Sequence, residues 1–440
     1  MPRWIKYGLW AAALLTLPFA AGGLRAFLSG DPFGYFTDKW ADPFGGNIGS
    51  VMKGVDAVVY EKGEKKASFS ADQVDIRRDK QFMDLFGLKG GKVFENDVEK
   101  ANFSAGRATF NAAEELMMIF GGAKVQGENF DLKTPDAKLD IKNQRAVMSN
   151  GIEGTAFKGA IKAGKLELGL GSGKHRATAV EWRGQPNVEG IPQGREVRFR
   201  AEDVEYTADP NIVVYLNAEA VDEDALMRAK KITYDGAKDV ITMEGGAEYY
   251  GAEVIVSAPK VVVHRKSKKA TASGPAGSVF FLVKPEGEKG IPVVEKAPAQ
   301  PVLPPGMAQP EDLDQLRSAG NLRKYPIIVT AANVDYFYTK GAKKAVMTGQ
   351  PKALQQLKAG TWREVTAPKA EFEEEKEILN LFSSGDTKEV RMRNSAGDDF
   401  IALSVRIGTT SGRETLSGKA MEGVMITRDE DVPRPGGGGG

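Results

Sequence analysis

The feature that most constrains this chain is a short recurring pattern whose apolar phase changes in its middle. The pattern is φ-x-[AT]-x-x-φ-x-φ, where φ is an apolar residue, and one copy is FSADQVDI at 69–76. In a strand, residues two apart share a face and residues three apart lie on opposite faces. Phe69 and Ala71 would therefore lie opposite Val74 and Ile76. Either the strand is buried on both faces, or a β-bulge after Ala71 resets the phase.

The pattern occurs ten times, and successive copies begin 28 to 38 residues apart except for one gap of 73. Pro135, Pro259 and Pro368 lie at or beside the junction, and proline in a strand is confined to edges and bulges. The proline copies favour the bulge, so each copy predicts a strand, a corner and a second strand. The ten copies are FSADQVDI (69–76), FSAGRATF (103–110), LKTPDAKL (132–139), IKAGKLEL (161–168), FRAEDVEY (199–206), MRAKKITY (227–234), VSAPKVVV (256–263), VTAANVDY (329–336), VTAPKAEF (365–372) and FIALSVRI (400–407).

Further alternating segments lie between the copies, and each is expected to end in a small or polar turn. They include QFMDLFGL (81–88), ELMMIFGG (115–122), NIVVYLNA (211–218) and KKAVMTGQ (343–350). Short strands at this spacing, in a chain with 51 glycines, are typical of all-β folds. Corners repeated in register predict an antiparallel sheet that is creased along its length and has an apolar interior.

Composition excludes several classes of function. The net charge of +1 gives no electrostatic support for nucleic-acid binding, and the absence of Cys excludes disulfides, thiol catalysis and Cys-ligated zinc. The two histidines, His175 and His264, are far apart, and GLGSGKHR at 169–176 lacks the residues of a phosphate loop. We therefore expect no enzymatic activity, no cofactor and no metal, with carboxylate-only chemistry of the glycosidase type as the open alternative.

The N-terminus predicts a membrane anchor. Arg3 and Lys6 precede an uncharged run at 7–24 that Arg25 ends, which is just long enough to span a bilayer as a helix. Positive charge before the span places the N-terminus in the cytoplasm and the remaining chain outside it. A cleaved signal peptide is the alternative.

The chain divides into six predicted segments. Residues 1–28 are the anchor, and 29–49 are an aromatic juxtamembrane linker that lies at the membrane interface or packs on the following domain. Residues 50–284 hold the first series of repeats and 323–428 the further repeats. Between them, 285–322 form a Pro-rich linker or projecting loop, and 429–440 are a flexible Gly-rich tail. HRKSKK (264–269) is expected to be a solvated turn, and EFEEEKE (371–377) an exposed turn or a short helical excursion.

The order of these features resembles LptC, the inner-membrane-anchored component of lipopolysaccharide transport, which is related to LptA and to the OstA-like periplasmic part of LptD. The resemblance is greatest over 50–170, where VDAVVYEKGEKKASFSADQVDI, FSAGRATFNAAEELMMIFGGAKVQ and ENFDLKTPDAKLDIKNQRAVMSN follow one another as in that family. Residues 195–283 and 325–425 look like additional copies of the module. The chain is longer than a typical LptC and has a Pro-rich insertion, so a fused LptC–LptA-like bridge is also possible.

The resemblance implies a β-jellyroll or "β-taco", a partly open sheet whose interior carries acyl chains. It implies an inner-membrane, periplasm-facing component of an export bridge for lipopolysaccharide or a similar glycolipid, serving outer-membrane biogenesis. Its partners would be LptF/LptG-like subunits of an ABC transporter and an LptA-like protein, joined by β-strand addition. The edge strand facing the transporter would include Val55, Ala57 and Val59.

The same resemblance implies a set of residues that line the lipid groove. The alternative is that each is an ordinary core residue and that the protein is a non-catalytic β-solenoid scaffold of the cell envelope. The predicted lipid-binding residues are Phe69, Phe103, Phe110, Ile119, Leu132, Leu139, Ile141 and Phe199.

Overall fold

The structure, a computed structural model, describes most of residues 47–425. The predicted anchor (1–28), nearly all of the juxtamembrane and Pro-rich segments and the tail (429–440) lie outside the described residues. The internal gaps are 62–63, 96–97, 112, 115, 128–129, 141–142, 144, 157–158, 170–173, 186–195, 224, 252–253, 286–323 except Leu316, 340, 359 and 410–414.

The described residues are almost entirely β-structure, as the sequence predicts. They divide into two compact units: the first runs to Glu223 and includes Thr233–Lys238, and the second comprises Asp224–Ile232 and the chain from Asp239 onward. The strands up to the division are β1 (Ile48–Glu61), β2 (Glu64–Arg77), β3 (Phe82–Glu95), β4 (Val98–Asn111), β5 (Leu116–Gly127), β6 (Phe130–Thr134), β7 (Asp136–Asp140), β8 (Arg145–Ser149), β9 (Ile152–Ala156), β10 (Gly159–Ala163), β11 (Lys165–Gly169), β12 (Lys174–Gly184), β13 (Val197–Thr207) and β14 (Ile212–Val221).

The strand β15 (Ala225–Asp235) spans the division between the units. Among the described residues of this part, a 3-10 turn at Glu374–Lys376 interrupts the later strands. These are β16 (Val240–Gly251), β17 (Val254–His264), β18 (Lys269–Ser273), β19 (Val279–Val283), β20 (Ile327–Ala331), β21 (Asn333–Phe337), β22 (Lys344–Thr348), β23 (Lys352–Lys358), β24 (Thr361–Thr366), β25 (Lys369–Glu373), β26 (Ile378–Phe382), β27 (Val390–Asn394), β28 (Asp399–Ala402), β29 (Ser404–Gly408), β30 (Thr415–Lys419) and β31 (Glu422–Val424).

The sheet of the first unit is creased into two limbs. The first limb holds the strand halves with the first apolar residue and the Ala of each repeat, such as Phe69 and Ala71. The second limb holds the halves with the last two apolar residues, such as Val74 and Ile76. Strands β1 to β5 and β12 to β14 pass through the crease, whereas β6 to β11 each lie in one limb, so that β5 pairs with β6 in one limb and β7 in the other. The two paths then run β6–β9–β10 and β7–β8–β11, and both end on β12.

The second unit has the same two-path arrangement. From β17, one path runs through β19, β20, β23, β24, β27, β28 and β31. The other runs through β18, β21, β22, β25, β26, β29 and β30. The chain crosses between the limbs after every one or two strands, which explains the near-regular repeat in the sequence.

The predicted corner is present where the pattern changes phase. Between β4 and β5, Gly121 and Gly122 on one strand lie opposite Gly106 on the other, which is a β-bulge. Gly121 and Gly122 have φ of 72° and 92°, which only glycine adopts readily. In β2 the corner has no register shift, but Gly54 of β1 and Gly87 of β3, which lie opposite the junction, have φ of 60° and 61°. Phe69, Ala71, Val74 and Ile76 nevertheless all belong to one buried cluster. The alternative of a strand buried on both faces is therefore wrong.

Pro259 lies at the corner of β17. On one side it faces a bulge at Gly245 and Gly246 of β16, and no ladder pair includes it. On the other side β17 changes partner, from β19 at residues 254–257 to β18 at residues 260–264. The missing N–H of the proline therefore falls where the ladders are interrupted on both sides, so the strand loses no hydrogen bond through it.

The third residue of each repeat lies inside the crease. Nine of the ten are buried, with side chains 0–9 % exposed, and Ala105 is partly buried against the same core. A small side chain is required where two limbs converge, because close-packed interiors leave no room for extra atoms. The nine are Ala71, Thr134, Ala163, Ala201, Ala229, Ala258, Ala331, Ala367 and Ala402.

Two local expectations are refined by the structure. The expected turns at the ends of 81–88, 115–122 and 211–218 are wrong, because β3, β5 and β14 continue through these positions. The basic run after His264 is a turn at 265–268, and the acidic run after Phe372 includes the 3-10 turn, as expected.

Because the backbone at the corner is left-handed, we expect substitution by alanine to have different effects on stability at two glycines of the second unit. An added Cβ would meet no atom within 4 Å at either Gly246 or Gly385, but only Gly246 has a positive φ, of 96°. We expect Gly246→Ala to lower the free energy of unfolding by about 1–2 kcal/mol. The matched Gly385→Ala should leave it unchanged or slightly raised. Urea denaturation measures both, and equal effects would contradict a role for backbone conformation at the corner.

Candidate functional site: the apolar interior

The candidate site of the first unit is the interior between the two limbs. In the first limb, one row of directly paired inner residues crosses nine strands without a polar side chain. It consists of Gly91, Phe103, Val125, Leu132, Gly154, Ile161, Trp182, Phe199 and Ala220. Antiparallel pairing places such residues side by side, so the row forms a continuous apolar strip perpendicular to the strands.

The second limb contributes a similar strip that crosses ten strands. Its members are Val74, Leu85, Ala108, Ile119, Ala137, Met148, Leu166, Ala177, Val204 and Tyr215. The second unit has its own strip, formed by Met243, Val261, Ala272, Val334, Met347, Ala370, Leu381, Val405 and Gly418. The interior of each unit is therefore lined by strips that continue from strand to strand.

Glycines in and beside the first-limb strip make room for rings and for backbone. A Cβ on Gly91 would lie 2.5 Å from the ring of Phe103, and one on Gly159 would lie 2.5 Å from the ring of Trp182. Gly154 is constrained even more tightly, because its Cβ would lie 1.9 Å from the backbone oxygen of Asp131. These glycines are needed for close approach rather than for an unusual φ.

Five of the eight predicted lipid-binding residues belong to one interior cluster. Phe69, Phe110 and Ile119 are buried in it, and Phe103 and Leu132 pack against it. Leu139 lies in β7 by its backbone, its side chain is outside the described residues, and so is the whole of Ile141. Their contact with lipid stays a prediction.

Phe199 lies near the crease and contacts the other limb. Its ring meets that of Tyr215 edge to face, with 5.4 Å between the ring centroids. Phe199 precedes the corner of β13 and Tyr215 precedes the corner of β14, so the two antiparallel strands contribute them from opposite limbs. The contact shows directly that the two limbs face each other across the interior.

The predicted partner strand is β1, and within the described residues it pairs with β2 alone. Val55 and Ala57 face inward and pack against the core, whereas Val58 faces outward and is 49 % exposed. The side chain of Val59 lies outside the described residues. A strand with one free side can accept another strand, and its partner stays a prediction.

The degree of burial differs along the interior of the first unit. Near β3 to β9 the side chains are tightly packed, and Val125 and Met148 are only 1–2 % exposed. Near β12 to β14, Trp182, Phe199 and Tyr215 keep partial exposure. A depression of about 460 Å³ at the crease opens on the outer face, because its lining includes Glu153, Lys162, Glu181 and Arg200.

The outer face carries the charges. Asp84 of β3 accepts hydrogen bonds from the Thr109 hydroxyl at 2.6 Å and from Arg107 and Arg77 at 3.1 and 3.3 Å. Burial alone would raise the pKa of Asp84, but these hydrogen bonds outweigh it and hold the pKa below its ordinary value. The sheet thus separates a polar outer face from an apolar inner one.

One polar pair interrupts the inner face. His175 of β12 is directly paired with Tyr206 of β13, and their rings stack with centroids 5.7 Å apart. The charged groups on these strands and on β11, which include Glu167, Arg176 and Glu205, alternate with them on the outer face. Burial lowers the pKa of His175 to about 4, so its imidazole is neutral at pH 7. Sequence reasoning missed this pair, because nothing in the sequence shows that residues 31 positions apart are neighbours.

The described residues contain no cluster of three or more His, Asp or Glu that could hold a metal ion. None of their helices is long and apolar enough to cross a membrane.

Comparison with known proteins gives one similarity of interest. No protein-family model matches the chain, and no curated protein matches it by sequence. Among solved structures, the chain is similar to LptH of Pseudomonas aeruginosa, described as the LptA-homologous periplasmic component of the conserved lipopolysaccharide transport device. The identity is 17 %, the match covers 26 % of this chain and 81 % of LptH, and the TM-score is 0.21.

Close approach of Gly91 to Phe103 predicts a specific coupling. We expect Gly91→Ala to lower the free energy of unfolding by about 1–3 kcal/mol, because the new methyl group displaces the ring. In the double variant with Phe103→Leu, the shorter side chain should relieve the overlap, so the loss is smaller than the sum of the single losses. Urea denaturation of wild type, Gly91→Ala, Phe103→Leu and the double variant gives the coupling free energy between the two sites. Strictly additive losses would contradict the contact.

The buried imidazole predicts a pH dependence of stability. Because the pKa of His175 falls from 6.5 to about 4 on folding, the unfolded state binds more protons between these values. The free energy of unfolding should therefore fall as the pH falls, by about 2 kcal/mol between pH 7.5 and pH 5.0.

Urea denaturation at the two pH values, for wild type and for His175→Phe, measures this term. The variant should lose about 2 kcal/mol less than wild type over the same interval. Equal losses in the two proteins would show that another group causes the pH dependence.

Proposed function

We propose that this protein carries the acyl chains of a glycolipid between the two limbs of its sheet and so forms part of a lipid-export bridge. The observation that supports the proposal is the set of uninterrupted apolar strips that line the interior from strand to strand. Each methylene group of an acyl chain costs about 0.8 kcal/mol in water, so an apolar strip lowers that cost without specific chemistry. Movement along such a surface requires no catalysis, and the protein is proposed not to be an enzyme.

The lipid proposed is lipopolysaccharide or a similar glycolipid, with its sugars and phosphates in water at the rims of the limbs. The proposed source is an inner-membrane ABC transporter with LptF/LptG-like subunits, next to which the predicted anchor at 1–28 would hold the protein. β1 would add to a strand of a partner, because its backbone groups are unpaired on one side within the described residues. An LptA-like protein would continue the bridge in the periplasm.

A second candidate function is a solid scaffold of the cell envelope. The tight packing around Val125 and Met148 favours it, because side chains that already fill the space leave none for a ligand. In the lipid-carrying function, the limbs must move apart there to admit acyl chains. The partial exposure of Trp182, Phe199 and Tyr215 makes β12 to β14 the proposed point of entry.

Photo-crosslinking distinguishes the two functions. A photoreactive amino acid at Phe199, on the inner face, should capture lipid when the protein is expressed in cells that export lipopolysaccharide. The matched control is Phe120, which is aromatic, 38 % exposed and on the outer face. The lipid-carrying function predicts an adduct, detected by mass spectrometry, at 199 and not at 120. Absence of an adduct at 199, or equal capture at both positions, would favour the scaffold.

A further inference from the structure

The starting observation is a set of three buried polar atoms without partners. Nδ1 and Nε2 of His175 and the hydroxyl oxygen of Tyr206 have no hydrogen-bond partner among the described residues. The two residues are only 8 % and 7 % exposed, so bulk water does not replace the missing partners. Buried polar groups are hydrogen-bonded in the great majority of proteins, and an exception requires an explanation.

The location of the pair is equally unusual. It belongs to a third inner row, whose directly paired positions begin with Ile76, Met83, Phe110 and Met117 and continue to β11. From Ile76 on β2 to β11, every residue of that row is apolar. The pair lies near the ends of β12 and β13, where the second limb reaches its rim.

Another tyrosine at the same position of a repeat shows the usual arrangement. Tyr336 is the last residue of VTAANVDY, as Tyr206 is of FRAEDVEY. Its hydroxyl donates a hydrogen bond to Glu374 at 2.7 Å. The repeat therefore tolerates tyrosine at this position, and the missing partner is particular to Tyr206.

The chemistry of the pair selects one class of ligand group. A neutral imidazole supplies one N–H donor and one acceptor, and the phenol supplies a further donor. Among the described residues, no cation lies on the inner face beside them, since Arg176 points to the outer face and pairs there with Asp203. A phosphate or carboxylate would remain an uncompensated charge in this place, whereas a neutral oxygen can accept both hydrogen bonds.

We propose that His175 and Tyr206 form a hydrogen-bonding site for the neutral carbonyl or hydroxyl oxygen next to an acyl chain, as in an ester. The proposal rests on the proposed function, because it requires acyl chains in the interior. At the rim of the second limb, such a site would fix how deeply the chains enter, with the charged head group kept outside.

The experiment compares an ester lipid with an ether lipid that lacks the carbonyl groups. The full-length protein, with a photoreactive residue at Phe199, is titrated with diheptanoyl phosphatidylcholine or its dialkyl ether analogue, and the half-saturating concentration for capture is measured. We expect wild type to capture the ester at a three- to tenfold lower concentration, the range that one hydrogen bond provides. Tyr206→Phe and His175→Phe should each reduce the preference by weakening capture of the ester, with capture of the ether unchanged. Tyr336→Phe, the matched control, should keep the preference.

Thermal unfolding separates this role from a structural one. Tyr206→Phe removes only an unpartnered hydroxyl, so its midpoint should equal or exceed that of wild type. Tyr336→Phe removes a bonded hydroxyl, so its midpoint should fall.

Any other result of the capture experiment contradicts either the hydrogen-bonding site or the lipid-carrying function. If wild type captures both lipids equally, or if Tyr206→Phe keeps the preference, the hydrogen-bonding site is wrong and the lipid-carrying function stands. If wild type captures neither lipid at 199, the lipid-carrying function is wrong and the site falls with it.

Discussion

The structure depends on the corner that follows the third residue of each repeat. Without it, an apolar set such as Phe69, Ala71, Val74 and Ile76 would be divided between two faces of a flat strand. At the corner the strand bends, and all four side chains enter one buried cluster. Glycines with a positive φ lie opposite the junction, Gly54 and Gly87 beside β2, and Gly121 and Gly122 in a β-bulge beside β4. The buried Ala at the inside of the bend lets the two limbs approach, and the same device recurs in both units.

The crease alone does not determine whether side chains or a ligand fill the interior of the sheet. The apolar strips can pack against each other, as they do around Val125 and Met148, or they can separate around a guest. Glycines such as Gly91 and Gly154 favour close packing, because they let rings and backbone approach. The partial exposure near Phe199 and the unpartnered pair at His175 and Tyr206 favour a guest at β12 to β14. The two tendencies occupy different parts of the first unit.

Much of the fold could be predicted from the sequence, because strand periodicity is a local property. The change of phase at Ala71, the prolines at 135, 259 and 368 and the spacing of the copies together predicted the corners. The expected turns after 81–88 and 115–122 were wrong because glycine permits both a turn and a bulge, and only the partner strand decides between them. The candidate lining residues were placed inward by the same periodicity, and five of the eight belong to one cluster.

The sequence by itself determined that the chain forms strands, where they bend and which side chains face inward, since these follow from the alternation of neighbouring residues. Only the tertiary structure decided which strands are neighbours, and with them which inner residues meet. Tyr206 and Tyr336 end equivalent copies of one repeat, yet one is stacked on His175 without a hydrogen bond and the other is bonded to Glu374. That difference arises from pairing between distant segments, which no local pattern encodes.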